Sequence, residues 1–194
     1  MGKKYICILA LFCQFVFADY YIRNTPQHLN GSYNSLASTG LIQLPTADLQ
    51  KSGMVGVTLG NSTLNKYTSI IASPFDWLEA SFYYHRPRDT RFRNGKVGNY
   101  LDKGFNIKVA KQFSNISIAM GIDDIAGTGF FAKEYLVGTL HAQGFNLTLG
   151  VGTGQFSGDH PYKNPIPGLR NRPTDLFSLG GSVGSEIDFN RMFK

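Results

Sequence analysis

The chain has 194 residues, of which 22 are glycines and only 16% are charged, and its formal charge at pH 7 is +6. Soluble domains usually have about 25% charged residues, and the glycines follow no collagen-type period. Both cysteines, Cys7 and Cys13, lie close to the N-terminus. A disulfide framework and a cysteine-ligated metal are therefore excluded for the rest of the chain.

The N-terminus has the pattern of a secretory signal peptide. Lys3 and Lys4 precede the apolar run 5–17, and Ala18 supplies a small residue at the end of that run. The run is too short to span a bilayer as a helix. We predict cleavage between Ala18 and Asp19, which defines residues 1–18 as a signal peptide and predicts export from the cytoplasm.

Residues 19–52 have no strand or helix period, and we interpret them as a periplasmic N-terminal lead. Their apolar part, 38–47, is stopped by Pro45. Residues 53–194 then contain strand-like runs that are bounded by turn residues. We predict eight strands: 54–60, 67–73, 77–85, 103–113, 115–123, 133–142, 145–154 and 176–189.

The connections between these strands alternate in length. Short turns at 74–76, at Ser114 and at Gln143-Gly144 fall between longer links. The longer links are 61–66, 86–102, 124–132 and 155–175. Outer-membrane barrels show this asymmetry, with short periplasmic turns and longer extracellular loops. The sequence thus predicts an all-β, antiparallel up-and-down meander that forms an outer-membrane β-barrel or part of a larger one. A soluble periplasmic β-sandwich remains the alternative.

Within each strand, large apolar residues alternate with small or polar ones, which places the two sets on opposite faces. In a barrel the polar set faces the lumen. We predict that four such residues contact glycan there: Asn106, Lys108, Asn146 and Thr148. Aromatic residues near strand ends suit an interfacial girdle, and ordinary core aromatics are the alternative. These residues are Tyr67, Phe75, Trp77, Tyr83 and Tyr84.

No pattern in the sequence predicts a catalytic, metal or cofactor site. The four histidines are scattered, and Asp123 and Asp124 are adjacent strand residues that we expect on opposite faces. The glycine-rich segments 127–129 and 150–154 match no phosphate loop. We therefore expect a protein that is not an enzyme and has no cofactor.

One loop is densely basic. Its arginines are Arg86, Arg88, Arg91 and Arg93. Such a patch suits an anionic glycan or lipid phosphate, and an ordinary solvated loop is the alternative that the sequence favours. Export by a signal peptide argues against nucleic acid as a partner.

Several segments resemble the YjbH family of bacterial outer-membrane proteins, in its N-terminal portion only. The segments are TGLIQLPTA at 39–47, WLEA at 77–80, KGFNIK at 103–108 and, most specifically, GIDDIAGTGFFAKEYLV at 121–137. The resemblance implies an outer-membrane β-barrel that assists exopolysaccharide biosynthesis or export without catalysis. Its implied partners are outer-membrane lipid, the secreted polysaccharide and other export proteins. Family members are several times longer than this chain.

Two other functions stay open on the sequence. One is a soluble periplasmic glycan-binding sandwich. The other is a structural outer-membrane protein with no role in transport.

Overall fold

The computed structural model describes residues 32–91, 97–127, 129–143 and 145–157. These residues form eleven strands and one short 3₁₀ helix, Gly154–Ser157. No helix among them is long and apolar enough to cross a membrane. The strands are β1 (Gly40–Leu41), β2 (Leu44–Pro45), β3 (Met54–Asn61), β4 (Asn65–Phe75), β5 (Leu78–Pro87), β6 (Thr90–Arg91), β7 (Val97–Gly98), β8 (Asp102–Phe113), β9 (Ile116–Ile125), β10 (Lys133–Ala142) and β11 (Phe145–Gly152).

Seven of these strands form one antiparallel sheet in the order β11-β10-β9-β8-β5-β4-β3. Each long strand pairs with the next long strand along the chain, which confirms the predicted all-β up-and-down meander. Over the described residues the sheet is open, with β3 and β11 at its edges. The short pairs β1–β2 and β6–β7 form separate two-stranded sheets.

The predicted strands agree closely with the observed ones. All seven predicted strands between residues 54 and 154 are present, and their ends differ from the observed ends by only a few residues. The eighth predicted strand, 176–189, and the predicted cleavage site at Ala18 and Asp19 lie outside the described residues. The predicted lead, 19–52, contains the small β1–β2 hairpin in its described part.

The alternation of link lengths is also present in the structure. At one end of the sheet, tight turns join β4 to β5 through Asp76-Trp77 and β8 to β9 through Ser114-Asn115. The links at the other end are longer on the whole: they span 62–64, 88–101 and 126–132. The two ends of the sheet therefore differ in the way the sequence predicts.

The two faces of the sheet have opposite chemistry. One, which we call the outer face, exposes large hydrophobic side chains on every strand. Examples are Val57, Ile70, Phe82, Ile107, Met120, Leu136 and Leu149, whose exposed fractions run from 38% to 70%. The opposite, inner face carries the buried polar side chains. Examples are Ser69, Glu79, Ser81, His85, Asn106, Lys108, Ser117, Lys133 and Thr139.

This distribution is the reverse of that in a soluble half-buried sheet, which buries its apolar face and exposes its polar one. Within the described residues, no second sheet covers the outer face. Instead, residues 32–50, which we call the inner segment, lie against the inner face. The polar side chains are buried because this segment covers them.

Two expectations about side-chain direction are wrong. Asp123 and Asp124 are both buried, although adjacent strand residues normally face opposite sides. A β-bulge lies there, since the β8–β9 register shifts between Phe105 and Ile107, and Asp124 has a φ of +60°. The extra residue turns both carboxylates inward.

The proposed aromatic girdle also needs correction. Tyr83 is 2% exposed and Tyr67 packs over Gly60 on the inner face, so neither belongs to a girdle. Tyr84 and Phe75 are exposed, and the Phe75 ring stacks on Trp77 at the short-turn end. Tyr67 and Tyr83 lie near strand ends, as the sequence predicts. Their side chains, however, are on the inner face of the sheet.

Candidate functional site

The candidate site is the space between the inner segment and the inner face of the sheet. Two small apolar clusters hold the segment in place. Ala37 packs with Ile71 and Tyr83, and Ala47 packs with Tyr135 and other residues of β9 and β10. These contacts are few, so polar groups make most of the identified contacts between segment and sheet.

The central polar contact is a buried ion pair. Lys108 Nζ lies 3.1 Å from Glu79 Oε1, and both side chains are 2% exposed. Glu79 also accepts hydrogen bonds from Ser38 Oγ at 2.8 Å, from the Thr39 N–H at 2.9 Å and from Thr39 Oγ1. The Glu79 carboxylate on β5 therefore has hydrogen-bond partners on the inner segment as well as Lys108 on the neighbouring strand β8.

Lys108 is equally satisfied. An ammonium group has three donors, and here one is directed to Glu79 and the other two to the backbone oxygens of Thr39 and Asp48, each at 2.9 Å. Because Glu79 and Lys108 bond the segment as well as each other, the pair fixes where the inner segment sits.

Further hydrogen bonds join the inner segment to other strands of the sheet. Ser81 Oγ donates to the carbonyl of Ala37 at 2.6 Å, and Asn106 Nδ2 donates to the carbonyl of Leu36 at 2.8 Å. On β10, Thr139 Oγ1 accepts from the Ala47 N–H at 2.9 Å. The inner segment is thus bonded to β5, β8 and β10.

A serine, a histidine and an aspartate come together where the end of the inner segment meets β9 and β10. His141 Nε2 lies 3.1 Å from both Asp48 Oδ1 and Ser117 Oγ. A catalytic relay needs the carboxylate and the hydroxyl on different ring nitrogens. Here both contact the same nitrogen, so the arrangement ties the segment to β9 and β10 and does not activate the serine.

A second buried charged cluster lies towards the long-link end. Lys133 Nζ is 2.6 Å from Asp123 Oδ2 across the β9–β10 pair. Asp124 Oδ2 accepts from the Phe131 N–H at 3.1 Å, and Tyr83 donates to Asp102 Oδ2 at 3.2 Å. The cluster anchors the link that follows β9. Among the described residues, no group of histidine, cysteine and acidic side chains is arranged to hold a metal ion.

Glycines make room for this cluster. A Cβ at Gly104 would lie 2.5 Å from Asp124 Oδ1 and 2.7 Å from Tyr83 Oη, and one at Gly127 would lie 2.6 Å from the Lys103 carbonyl oxygen. Only glycine fits at such distances. Gly127, which belongs to the glycine-rich segment singled out in the sequence, therefore packs against Asp124.

An open cavity of about 710 Å³ lies between the inner segment and β10–β11. The β1–β2 hairpin forms one side of it, and the other side includes Tyr135, Asn146, Thr148 and Phe156. Asn146 is exposed and Thr148 is half-buried. This is where the inner face remains accessible.

The four residues predicted to contact glycan are therefore divided into two pairs. Asn106 and Lys108 lie under the inner segment and donate hydrogen bonds to its backbone oxygens. Asn146 and Thr148 line the cavity, where Thr148 Oγ1 also bonds Thr139 Oγ1 at 2.9 Å. Glycan contact by any of them stays a prediction.

The predicted basic loop is only partly described. Arg86 is exposed at the end of β5, and Arg88 Nη2 donates to Asn61 Oδ1 at 2.9 Å. The side chain of Arg91 and the whole of Arg93 lie outside the described residues. Binding of an anionic glycan by this loop also stays a prediction.

Sequence reasoning missed Glu79, Asp48 and the partners of Lys133. The signal for Glu79 was available, since Glu79, Ser81, Tyr83 and His85 alternate with apolar residues and mark a polar face. Asp123 and Lys133 stand directly opposite each other in the register, but that register depends on the length of the intervening link. The contact of Asp48 with His141 joins residues far apart in the chain and had no local signal.

Comparison with known proteins identifies the family. The model of the YjbH family, described as exopolysaccharide biosynthesis protein YbjH, matches residues 32–194. The chain belongs to the YjbH family. The matched range starts at the inner segment and includes the whole described sheet, so both parts are family features. The resemblance noted in the sequence is thereby confirmed.

One curated relative of this YjbH-family chain is the uncharacterized lipoprotein YjbH of Escherichia coli (strain K12). The two are 28% identical over 200 residues, an alignment that covers 100% of this chain and 28% of the relative. The chain thus spans about 28% of the length of that relative. No solved structure matches the chain.

Proposed function

We propose that this chain forms part of the wall of an outer-membrane β-barrel that assists the passage of an exopolysaccharide and catalyses no reaction. The observation that carries the proposal is the inverted distribution of side chains over one continuous sheet. Hydrophobic side chains on its outer face suit lipid, and polar side chains on its inner face suit a lumen. The partners are outer-membrane lipid, the polysaccharide and other export proteins, and nucleic acid is not among them.

The height of the apolar band on the outer face supports a membrane location. On β8, Lys103 and Lys111 flank Phe105, Ile107 and Val109. At about 3.4 Å per residue, the two lysines are about 27 Å apart along the strand. With the strand tilt of about 35–45° in outer-membrane barrels, this length corresponds to a height of about 19–22 Å, comparable with their apolar bands of about 25 Å. A lysine at each border can direct its ammonium group into the interface while its stem lies along lipid.

The inner segment indicates that the closed wall has more than eight strands. The interior of an eight-stranded barrel is just wide enough for its own side chains or one small ligand. Here the inner face holds the backbone of residues 32–50, including the β1–β2 hairpin, in addition to the side chains of the sheet. Further strands beside β3 and β11 are needed to enclose it. The greater length of the Escherichia coli relative is consistent with this requirement.

The link to exopolysaccharide rests on the family, whose description names exopolysaccharide biosynthesis. The signal-peptide pattern of residues 1–18 and the word lipoprotein in the name of the relative both favour an exported, membrane-associated protein. A role without catalysis is supported by the site itself. Its buried acids and histidine bond the inner segment or neighbouring strands, where they stabilise the fold.

The soluble sandwich is disfavoured by a specific observation. A sandwich would cover the apolar face with a second sheet, whereas the inner segment covers the polar face. A purely structural role in the membrane shares the same fold as our proposal. It differs in predicting that loss of the protein leaves secreted polysaccharide unchanged.

Fractionation of cells that produce the full chain tests the location. We expect the protein in the outer membrane, with a mobility on gels that changes on heating, as folded barrels show. Recovery in the soluble periplasm with no heat-dependent mobility would overturn the barrel. Measuring secreted polysaccharide in a deletion strain, with and without a plasmid copy, then separates transport from a structural role.

A further inference from the structure

We infer that the glycan path runs between the β1–β2 hairpin and strands β10 and β11, and that it accepts an uncharged sugar chain. The inference rests on the proposed function, because it assumes that the inner face lines a lumen. It then places the path at one side of that lumen.

Most of the inner face is sealed. Ser81, Asn106, Lys108 and Ser117 are all at most 6% exposed. Asn106 and Lys108 lie directly beneath backbone of the inner segment and bond to it. A sugar could reach them only if the whole segment left the sheet, which would break the contacts to β5, β8 and β10 together.

The inner face opens at β10 and β11. The cavity there has a volume of about 710 Å³, within the range of about 300–1,000 Å³ typical of small-molecule sites. Asn146 is exposed within it and Thr148 is half-buried. The amide and hydroxyl groups of these residues face a space large enough for a few sugar units.

The lining of this cavity combines apolar and hydrogen-bonding groups. Tyr135, Phe156 and Leu44 present apolar surface, while Asn146, Thr148 and Asp48 present hydrogen-bonding groups. A sugar ring has the same mixture, with C–H groups on its faces and hydroxyls around its edge. Aromatic and apolar walls with a few polar groups are the usual composition of a ligand site.

The described lining of the cavity offers no lysine or arginine to pair with an anionic sugar, and Asp48 is its only acid. The Asp48 carboxylate is already held by His141 Nε2 at 3.1 Å. An anionic chain would therefore leave water without gaining a charge-assisted hydrogen bond from a lysine or arginine of this lining. The cavity therefore suits neutral or N-acetylated hexoses better than a uronic-acid or phosphate-rich polymer.

A photo-crosslinking experiment in cells that secrete the polysaccharide tests the path. Benzoylphenylalanine replaces Asn146 in the full chain. Asn115, in a short turn, and Thr68, on the outer face, receive the same residue as matched controls. After irradiation, we expect periodate-reactive sugar attached to the protein at position 146 and not at positions 115 or 68. Equal attachment at all three positions, or none at position 146, would overturn the path.

The attached glycan also reports its chemical class. Hydrolysis should release neutral or N-acetylated hexoses, and a chain rich in uronic acid or phosphate would overturn the charge argument. A second crosslinking measurement places benzoylphenylalanine at position 148. Replacing Asn146 by Ala removes one hydrogen bond to a neutral group and should reduce sugar capture at position 148 about two- to ten-fold. Heat-dependent mobility is measured on every variant. Its retention together with failed crosslinking refutes the path alone, whereas its loss in the unmodified protein refutes the barrel.

Discussion

The outer and inner faces of the seven-stranded sheet have opposite environments although the same strands supply both. On β8, Ile107 is 45% exposed on the outer face while its neighbour Lys108 is 2% exposed on the inner one. In water this would leave apolar surface uncovered and bury charge. This arrangement is the one that our proposal requires, with lipid on the outer side of the sheet and a polar interior filled by polypeptide on the inner side.

The largest expected effect comes from breaking the buried ion pair of the inner face. Glu79→Gln keeps the shape of the side chain but leaves Lys108 without its counter-charge. Removing one partner of a buried pair typically costs about 3–5 kcal/mol. We expect a loss of this order in the free energy of unfolding by urea in detergent, followed through Trp77, the only tryptophan of the chain.

The double variant Glu79→Gln with Lys108→Met is the control for this prediction. It removes both charges, so it should be more stable than Glu79→Gln alone. Limited proteolysis adds a structural readout, since the single variant should expose the inner segment to cleavage. A single variant as stable as the unmodified protein would show that the pair does not hold the segment.

A charge on the outer face should have the next largest effect. Ile107 lies midway between Lys103 and Lys111 on β8, and Ile107→Arg would place a cation at the centre of the apolar band. Such substitutions cost about 2–4 kcal/mol at the bilayer midplane and much less near the interface. We expect this loss on unfolding from lipid vesicles, and almost none for Lys103→Arg at the border.

The same pair of variants tests whether the outer face contacts lipid or water. If Ile107→Arg is tolerated in vesicles, or makes the protein soluble without detergent, the outer face does not meet lipid. Lys103→Arg is the control because it places the same side chain on the same face of β8 but leaves the charge at the border unchanged, whereas Ile107→Arg adds a charge at the centre of the band.

The strands of this fold were readable from the sequence because their signal is local. In 105–109 and 145–151, apolar residues recur at every second position. Tight turns at Ser114 and at Gln143-Gly144 mark two of the hairpins. Period-two alternation also identified which residues share a face, as Asn106 and Lys108 show. Hairpin pairing follows almost directly, because each strand joins the next along the chain.

The site was less readable because its contacts are not local. Residues 32–50 looked like an aperiodic lead, and nothing in their composition indicated that Thr39 would meet Glu79 or that Asp48 would meet His141. The bulge that turns Asp124 inward depends on a positive φ, which alternation does not predict. Whether a polar inner residue is sealed or open depends on where the segment lies.

The smallest expected effect compares an added methyl group on the two faces. Gly121 lies on the inner face of β9, where a Cβ would overlap the ring of Tyr135, which is 5% exposed. Gly138, on the outer face of the neighbouring strand β10, has its nearest atom, the Ser117 carbonyl oxygen, at 3.8 Å from such a Cβ. Overpacking of a filled interior costs about 1–3 kcal/mol. Alanine in place of an unstrained strand glycine gains about 0.5–1 kcal/mol.

Gly121→Ala should therefore lower the free energy of unfolding and Gly138→Ala should leave it equal or raise it. Both variants are measured in the same vesicles, so changes in lipid affect them alike. Opposite signs would follow only if the inner face is already filled by its side chains and the inner segment while the outer face is not packed against protein. Equal losses at the two glycines would mean that protein also packs against the outer face, and the lipid-facing assignment of β10 would fail.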